Sequence, residues 1–158
     1  MKQWNRIHVV LISACLILAY VFYVQWVLGL TPCPLCWMQR LCVFSMALSM
    51  GYGVRYKFTS KVWHFCVFFA LAGLYFAGRQ YWLESLPPEV KVACLPALDV
   101  LLAYFPWQSV LKVFFMGNAD CGEVVWRFAG LSLAGWSMLY FIGSIGILLS
   151  IYPRVRRL

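Results

Sequence analysis

Two cysteines separated by two residues, Cys33 and Cys36, are the residues of this sequence best suited to carry out chemistry. Pro34 lies between them, and its fixed φ and missing N–H favour the first position of a helix. The positive end of a helix macrodipole stabilises a thiolate at that place. Arg40 follows Cys36 by four residues, so both lie on one helix face and the guanidinium leans toward the sulfur. The spacing predicts a redox-active dithiol with a cation one turn further along the helix.

Other uses of a CxxC pair explain this stretch less well. A disulfide between Cys33 and Cys36 closes so small a loop that it constrains little unfolded-chain entropy, which argues against a purely structural staple. Structural zinc sites usually pair two short-spaced sets of ligands, and only one such set is present. Trp37 stands where a CxxCH haem motif needs histidine. We therefore predict a redox role for the pair and no metal.

Two further cysteines, Cys94 and Cys121, lie in a more polar stretch of the sequence. In an oxidising compartment these two can form a disulfide. The residues alone leave open whether that disulfide is a structural staple or takes part in thiol exchange. The other three cysteines fall within apolar stretches, where a thiol acts as a small, inert hydrophobe.

The composition indicates a membrane protein. Hydrophobic residues make up 64% of the 158 residues and charged residues only 11%, whereas a soluble domain has roughly 45–50% apolar and about 25% charged residues. The net charge of +8 fits cytoplasmic loops facing an anionic leaflet better than it fits nucleic acid, given the long apolar runs. No glycine-rich phosphate loop, HExxH zinc motif or catalytic-triad signature is present in the sequence.

Four apolar stretches predict an all-α membrane protein, a bundle of four transmembrane helices in one domain covering residues 1–158. The predicted spans are 7–30, 35–54, 62–83 and 131–152, with Pro153 ending the last. The first is too long for a signal-peptide core and is expected to be retained. The apolar part of the second, 41–54, would extend only about 21 Å as a helix. The helix must therefore begin near Leu35, which draws Gln39 and Arg40 into the outer margin of the membrane.

The charged residues predict the orientation. Eight basic residues flank the spans on one side, which is then cytoplasmic: Lys2, Arg6, Arg55, Lys57, Lys61, Arg154, Arg156 and Arg157. All five acidic residues lie between the third and fourth spans. Both termini are accordingly expected in the cytoplasm. The CxxC turn and the long loop of residues 85–130 are expected outside.

The long outer loop contains one predicted helix. After Pro106, apolar residues recur at the spacing of a single helix face, at Trp107, Val110, Leu111, Phe114 and Phe115. Such an amphipathic helix most simply lies flat on the bilayer as an interfacial helix. The alternative is a short helix docked on the top of the bundle.

Two arginines, Arg40 and Arg79, lie near the outer ends of predicted spans. Arginine there can snorkel to the interface, and for Arg79 this explanation and a functional one stand equal. For Arg40, one turn from the CxxC pair, a functional role is favoured. Electrons that leave a dithiol within a bilayer need a lipid-soluble acceptor such as a quinone, and a nearby cation would stabilise the charge that develops on its oxygen.

Taken together, these features resemble those of the disulfide bond formation protein B (DsbB) family. The resemblance rests on four spans, on the stretch CPLCWMQR at the start of the second, and on the cysteine pair in the outer loop. It covers nearly the whole chain. Vitamin K epoxide reductases share the four-helix architecture, but their CxxC follows the loop pair, so the order of motifs here favours the DsbB family.

The resemblance implies a role for each candidate residue. Cys33–Cys36 matches the quinone-coupled disulfide, and Cys94–Cys121 matches the loop disulfide that exchanges with a partner. Arg40 matches the arginine of the quinone site. Gln39 replaces an acidic residue found in some members, and Gln80 falls near a position where some have histidine. We count Gln39, Arg79 and Gln80 with Arg40 as candidate quinone-site residues.

The expected function is therefore that of an inner-membrane protein-disulfide oxidoreductase. It would reoxidise a periplasmic, DsbA-like oxidase of the thioredoxin fold and pass the electrons to ubiquinone or menaquinone. The alternative is a non-enzymatic membrane subunit with structural disulfides or a cysteine-bound metal.

Overall fold

The computed structural model of the chain describes residues 2–27, 29, 32–87, 106–124 and 127–155. These residues form five α-helices, with a short 3-10 turn and a small hairpin in the outer segment. The helices are α1 (Lys2–Val27), α2 (Pro34–Arg55), α3 (Ser60–Ser85), α4 (Trp107–Met116) and α5 (Leu133–Val155). The 3-10 turn covers Ala119–Gly122, and the hairpin pairs β1 (Arg127–Phe128) with β2 (Leu131–Ser132).

Three of the helices are long and apolar enough to cross a membrane, over Asn5–Val27, Ser60–Ser85 and Leu133–Tyr152. The chain is thus an all-α, multi-pass membrane protein. Helix α2 has 22 residues, about 33 Å at 1.5 Å per residue, but Gln39 and Arg40 lower its hydropathy. A fourth crossing by α2 stays a prediction.

Helix α2 begins where the sequence predicts. Cys33 is its N-cap in an extended conformation (φ −69°, ψ 164°), and Pro34 occupies the first helical position. The first helical hydrogen bond runs from the Trp37 N–H to the Cys33 carbonyl at 3.1 Å. Because the helix starts this early, Gln39 and Arg40 lie in its second turn.

Small residues allow the helices to approach closely. Helix α3 packs between α2 and α5, while α1 packs mainly on α2. A Cβ at Gly73 of α3 would overlap the Phe141 ring of α5, so any larger residue would require the ring or the helices to shift. Many large apolar side chains, such as Leu16, Phe68 and Leu149, are exposed, as expected of a surface that faces lipid.

Helix α4 follows Pro106, as predicted, and its packing combines the two expected arrangements. It packs against α2 and buries Val113 completely. Trp107 and Leu111 remain exposed. One side is therefore docked on the bundle, and contact of the other side with a bilayer stays a prediction.

Two local features differ from the sequence-based expectations. Helix α5 does not end at Pro153 but continues to Val155, because a proline in the last turn removes only one helical hydrogen bond. The β1–β2 hairpin was not predicted. Its two turn residues, Ala129 (φ 50°) and Gly130 (φ 82°), both have positive φ, as type I′ hairpin turns require.

Candidate functional site

The CxxC pair forms the centre of the candidate site. The Cys33 and Cys36 sulfurs lie 3.1 Å apart as thiols at the first turn of α2, and both side chains are partly buried. The predicted Cys33–Cys36 disulfide belongs to the oxidised state and stays a prediction. The pair has the arrangement that the sequence predicts, with one cysteine capping the helix and the other one turn inside it.

Two buried glutamines adjoin Cys36. The Gln39 side-chain N–H donates to the Gln80 Oε1 atom at 2.7 Å, and the Cys36 thiol donates to the same oxygen at 3.4 Å. Both glutamines are almost fully buried. Buried amides need hydrogen-bond partners, and these two bond to each other. Their contact joins α2 to α3 directly beside the thiol. The structure thus brings the two predicted glutamines together with Cys36.

Cys121 lies next to Cys33. It belongs to the 3-10 turn after α4, and its side chain is fully buried. Its thiol donates to Asn118 Oδ1 at 3.2 Å. A hydrogen bond with Cys33 lowers the pKa of Cys121, helped by backbone hydrogen bonds with Asn118 and Leu35. The same hydrogen bond raises the pKa of Cys33.

Three of the four predicted redox cysteines therefore meet at one end of α2. Cys94, the fourth, lies outside the described residues, and so does the predicted Cys94–Cys121 disulfide. In the described part of the chain Cys121 is a thiol. The arrangement places the loop sulfur where it can reach the CxxC pair.

Arg40 lies on the α1 side of α2. Its Nη1 donates to Gln25 Oε1, and its Nη2 donates more weakly to the Val21 carbonyl at 3.4 Å. The guanidinium carbon is 5.7 Å from the centroid of the Phe22 ring and 5.7 Å from that of Trp37, within the range of cation–π attraction. Arg40 is thus held between α1 and α2 rather than extended toward the interface.

Sequence reasoning missed Gln25. The available signal was an amide side chain within an otherwise apolar span, since a polar side chain at that depth requires a partner. The sequence does not reveal which residue that partner is, because α1 and α2 are related only by tertiary packing.

Arg79 is directed to the outer segment. Its Nε donates to the Met116 carbonyl at 3.2 Å, and its guanidinium carbon is 4.3 Å from the Trp82 ring centroid. The contacts seen for Arg79 therefore connect α3 to the end of α4. Its predicted quinone role gains no supporting contact from the described residues.

Comparisons with known proteins give a consistent result. The family model described as "Disulfide bond formation protein DsbB" matches residues 3–151. The chain is 42% identical over 146 residues to disulfide bond formation protein B of Marinobacter nauticus, covering 89% of this chain and 85% of that protein. It is 36% identical over 152 residues to disulfide bond formation protein B 1 of Pseudomonas aeruginosa, covering 91% and 90%. No solved structure matches the chain.

Proposed function

The chain belongs to the DsbB family of disulfide bond formation proteins, and from this premise we propose that it reoxidises a DsbA-like periplasmic oxidase and transfers the electrons to membrane quinone. As a family member it is a bacterial multi-pass membrane protein with a role in disulfide formation. The partner, the quinone and the order of electron transfer make up the proposal. The observation that carries it is the contact of the Cys121 thiol with Cys33, whose sulfur is 3.1 Å from that of Cys36.

The first steps transfer the partner's electrons to the CxxC pair. A thiolate of the reduced partner attacks Cys94 of the Cys94–Cys121 disulfide, which forms a mixed disulfide and releases Cys121 as a thiolate. Cys121 attacks Cys33 of the Cys33–Cys36 disulfide, so a Cys33–Cys121 bond forms and Cys36 leaves as a thiolate. Backbone hydrogen bonds with Asn118 and Leu35, which do not require a Cys33 thiol, lower the pKa of Cys121 and favour the attacking thiolate.

The remaining exchanges restore the loop disulfide. The partner's second thiolate attacks the mixed disulfide, closes the partner's own disulfide and releases Cys94. Cys94 then attacks Cys121, which re-forms Cys94–Cys121 and releases Cys33. Two electrons have moved from the partner dithiol to Cys33 and Cys36.

The surroundings of Arg40 fit a quinone. A quinone is a flat ring with carbonyl oxygens, and here a guanidinium with several N–H donors lies 5.7 Å from the centroids of both the Phe22 and the Trp37 ring. These three residues would hold the ring, and quinone when bound would accept two electrons and two protons from the dithiol. Arg40 stabilises negative charge beside the site, and the Gln39–Gln80 pair orients the Cys36 sulfur.

The proposal places the protein in the bacterial inner membrane with four spans, both termini in the cytoplasm and the thiols in the periplasm. The basic residues in the first turns of α1, at and between the adjoining ends of α2 and α3, and near the C-terminus of the chain support this orientation. An oxidising periplasm is also the compartment in which the loop disulfide persists.

The decisive experiment measures oxidation of a reduced DsbA-like protein by the purified chain. Without quinone, we expect each disulfide of the purified protein to oxidise at most one molecule of reduced partner. When ubiquinone or menaquinone is supplied, each protein molecule should oxidise many partner molecules. A Cys33→Ala variant serves as the inactive control. If the amount of partner oxidised does not increase when quinone is added, the alternative, a non-enzymatic membrane subunit, would be favoured.

A further inference from the structure

We propose that Arg79 is a positioning residue that holds the C-terminal end of α4 on the bundle and thereby keeps Cys121 beside Cys33. The inference deepens the proposed function, because it concerns the exchange between these two cysteines. It assigns Arg79 to the electron path through the loop rather than to the binding of quinone.

The first observation is the contact of Arg79 with α4. Carbonyl groups in the last turn of a helix lack helical partners and carry the negative end of the macrodipole. Met116 is the last residue of α4, and its carbonyl accepts the Arg79 Nε–H at 3.2 Å. The Trp82 ring, which lies on α3 like Arg79, is 4.3 Å from the guanidinium carbon and stabilises the cation. A cation on α3 thus caps the end of α4.

The second observation is the close passage of the chain directly after this contact. Gly117 has φ +80°, and a Cβ there would come within 2.7 Å of Leu83 and 2.8 Å of Leu35. Only glycine combines this backbone conformation with so close an approach. The residue after the Arg79 contact therefore lies tightly against both α2 and α3.

The third observation connects this passage to the thiol. Asn118 is only 1% exposed, and both the side chain and the backbone N–H of Cys121 bond to it. Residues 116–121 thus form one segment that is docked through the Met116 carbonyl, Gly117, Asn118 and Cys121, and we call this segment the Cys121 seat. Arg79 holds its first residue and Cys33 contacts its last. A tether at one end restricts the positions of the other, which raises the effective concentration of Cys121 at Cys33.

A role confined to general stability would have a different effect. Among the described residues, the buried core is formed almost entirely by apolar side chains of α1, α2, α3 and α5, with Cys121 as its one member from the outer segment, whereas the Arg79 guanidinium bonds to the Met116 carbonyl of α4. Loss of the guanidinium should therefore release the seat locally and leave the bundle folded. The effective concentration of the two thiols and the melting temperature separate these cases.

The test uses the full-length chain with Cys36→Ser and Cys94→Ser, in which Cys33 and Cys121 remain as the outer thiols. The protein is equilibrated with glutathione, so that two protein thiols and one glutathione disulfide give the Cys33–Cys121 disulfide and two glutathione thiols. Quantitative alkylation gives the equilibrium constant, which is the effective concentration, and mass spectrometry confirms the link. Neither quinone nor partner is present, so failure of quinone-dependent turnover and failure of this inference are seen in separate assays.

We expect Arg79→Met to lower the effective concentration about fivefold or more, since a charge-assisted hydrogen bond is lost at a partly exposed site. Arg79→Lys keeps the cation and should recover part of the loss. Arg127→Met, which removes an exposed arginine of β1, is the matched control and should change nothing. An unchanged effective concentration for Arg79→Met would overturn the inference. A lower effective concentration that is accompanied by a lower melting temperature of the bundle would overturn it as well.

A second variant tests the seat with Arg79 intact. Gly117→Ala should also lower the effective concentration, because its Cβ would push the segment away from Leu35 and Leu83. If Gly117→Ala leaves the effective concentration unchanged, the seat does not position Cys121 and the inference fails.

Discussion

The side-chain amide of Gln39 donates to that of Gln80 across 2.7 Å and joins α2 to α3 beside Cys36. Neither amide gains or loses a proton at any working pH. In this chain the glutamine groups beside the Cys36 thiol are therefore neutral. The hydrogen bonding of the Cys36 thiol therefore depends on how the two amides are oriented rather than on their charge.

The first prediction concerns this amide pair. Gln80→Leu should destabilise the bundle by about 1–3 kcal/mol, because the buried Gln39 amide loses its partner. The measurement is thermal or denaturant unfolding in detergent. The double variant Gln39→Leu/Gln80→Leu removes both polar groups and should be less destabilised than the sum of the single variants. Additive losses would show that the two amides are not energetically coupled.

The second prediction concerns Arg40. Arg40→Ala should raise the apparent KM for quinone about tenfold or more, and Arg40→Lys should raise it less, since lysine keeps the charge but not the planar fork of donors. The KM for the reduced partner should stay unchanged. Arg55→Ala at the other end of α2 is the control. Equal effects on quinone and partner would show that Arg40 anchors the helix and does not serve the acceptor.

The third prediction concerns Gln25, which holds the Arg40 guanidinium. Gln25→Leu should also raise the quinone KM, by about threefold to tenfold, because the cation loses a charge-assisted hydrogen bond that fixes its position. In the double variant Gln25→Leu/Arg40→Ala the glutamine substitution should add nothing further. A full additional effect of Gln25→Leu in the absence of Arg40 would mean that Gln25 acts independently.

The fourth prediction concerns the thiol that meets the partner. Cys94 lies in the Pro-flanked stretch Val92-Ala93-Cys94-Leu95-Pro96, which suits binding in an extended form to a groove. In Cys121→Ser the freed resolving thiol is missing, so a mixed disulfide between Cys94 and the partner should accumulate. Mass spectrometry of the trapped complex identifies the linked cysteine. A link to Cys33 would contradict the proposed electron path.

The fifth prediction concerns orientation. Alkaline phosphatase is active only when exported, so a fusion after Gly117 should be active and a fusion after Lys57 inactive. Enzyme activity normalised to fusion protein gives the comparison. The opposite pattern would place the thiols in a reducing compartment and refute the proposed function.

The features that could be predicted from the sequence are those set by local chemistry. Pro34 determines where α2 begins, and the apolar spacing after Pro106 predicts α4, because both depend on residues only a few positions apart. The sequence did not reveal that Arg40 meets Gln25 or that Arg79 meets Met116. Each of these contacts forms between separate helices, and an arginine side chain can reach several neighbours from one backbone position.

The β1–β2 hairpin was missed for a related reason. Two-residue strands leave no alternating pattern to detect, and the Ala129–Gly130 turn lacks the asparagine or aspartate that usually marks such a turn. The Trp136 indole N–H donates to the Phe128 carbonyl at 3.1 Å. A contact between the hairpin and the following helix thus supports a turn that its own residues specify weakly.

The complete burial of Cys121 limits the side reactions that its sulfur can undergo. A sulfur that water does not reach is also shielded from peroxide, metal ions and stray low-molecular-weight thiols. Electrons that pass through this position are insulated from side reactions that would waste the partner's reducing equivalents. Leakage should then be governed by how often the segment lifts off the bundle, and not by how strongly oxidising the surrounding medium is.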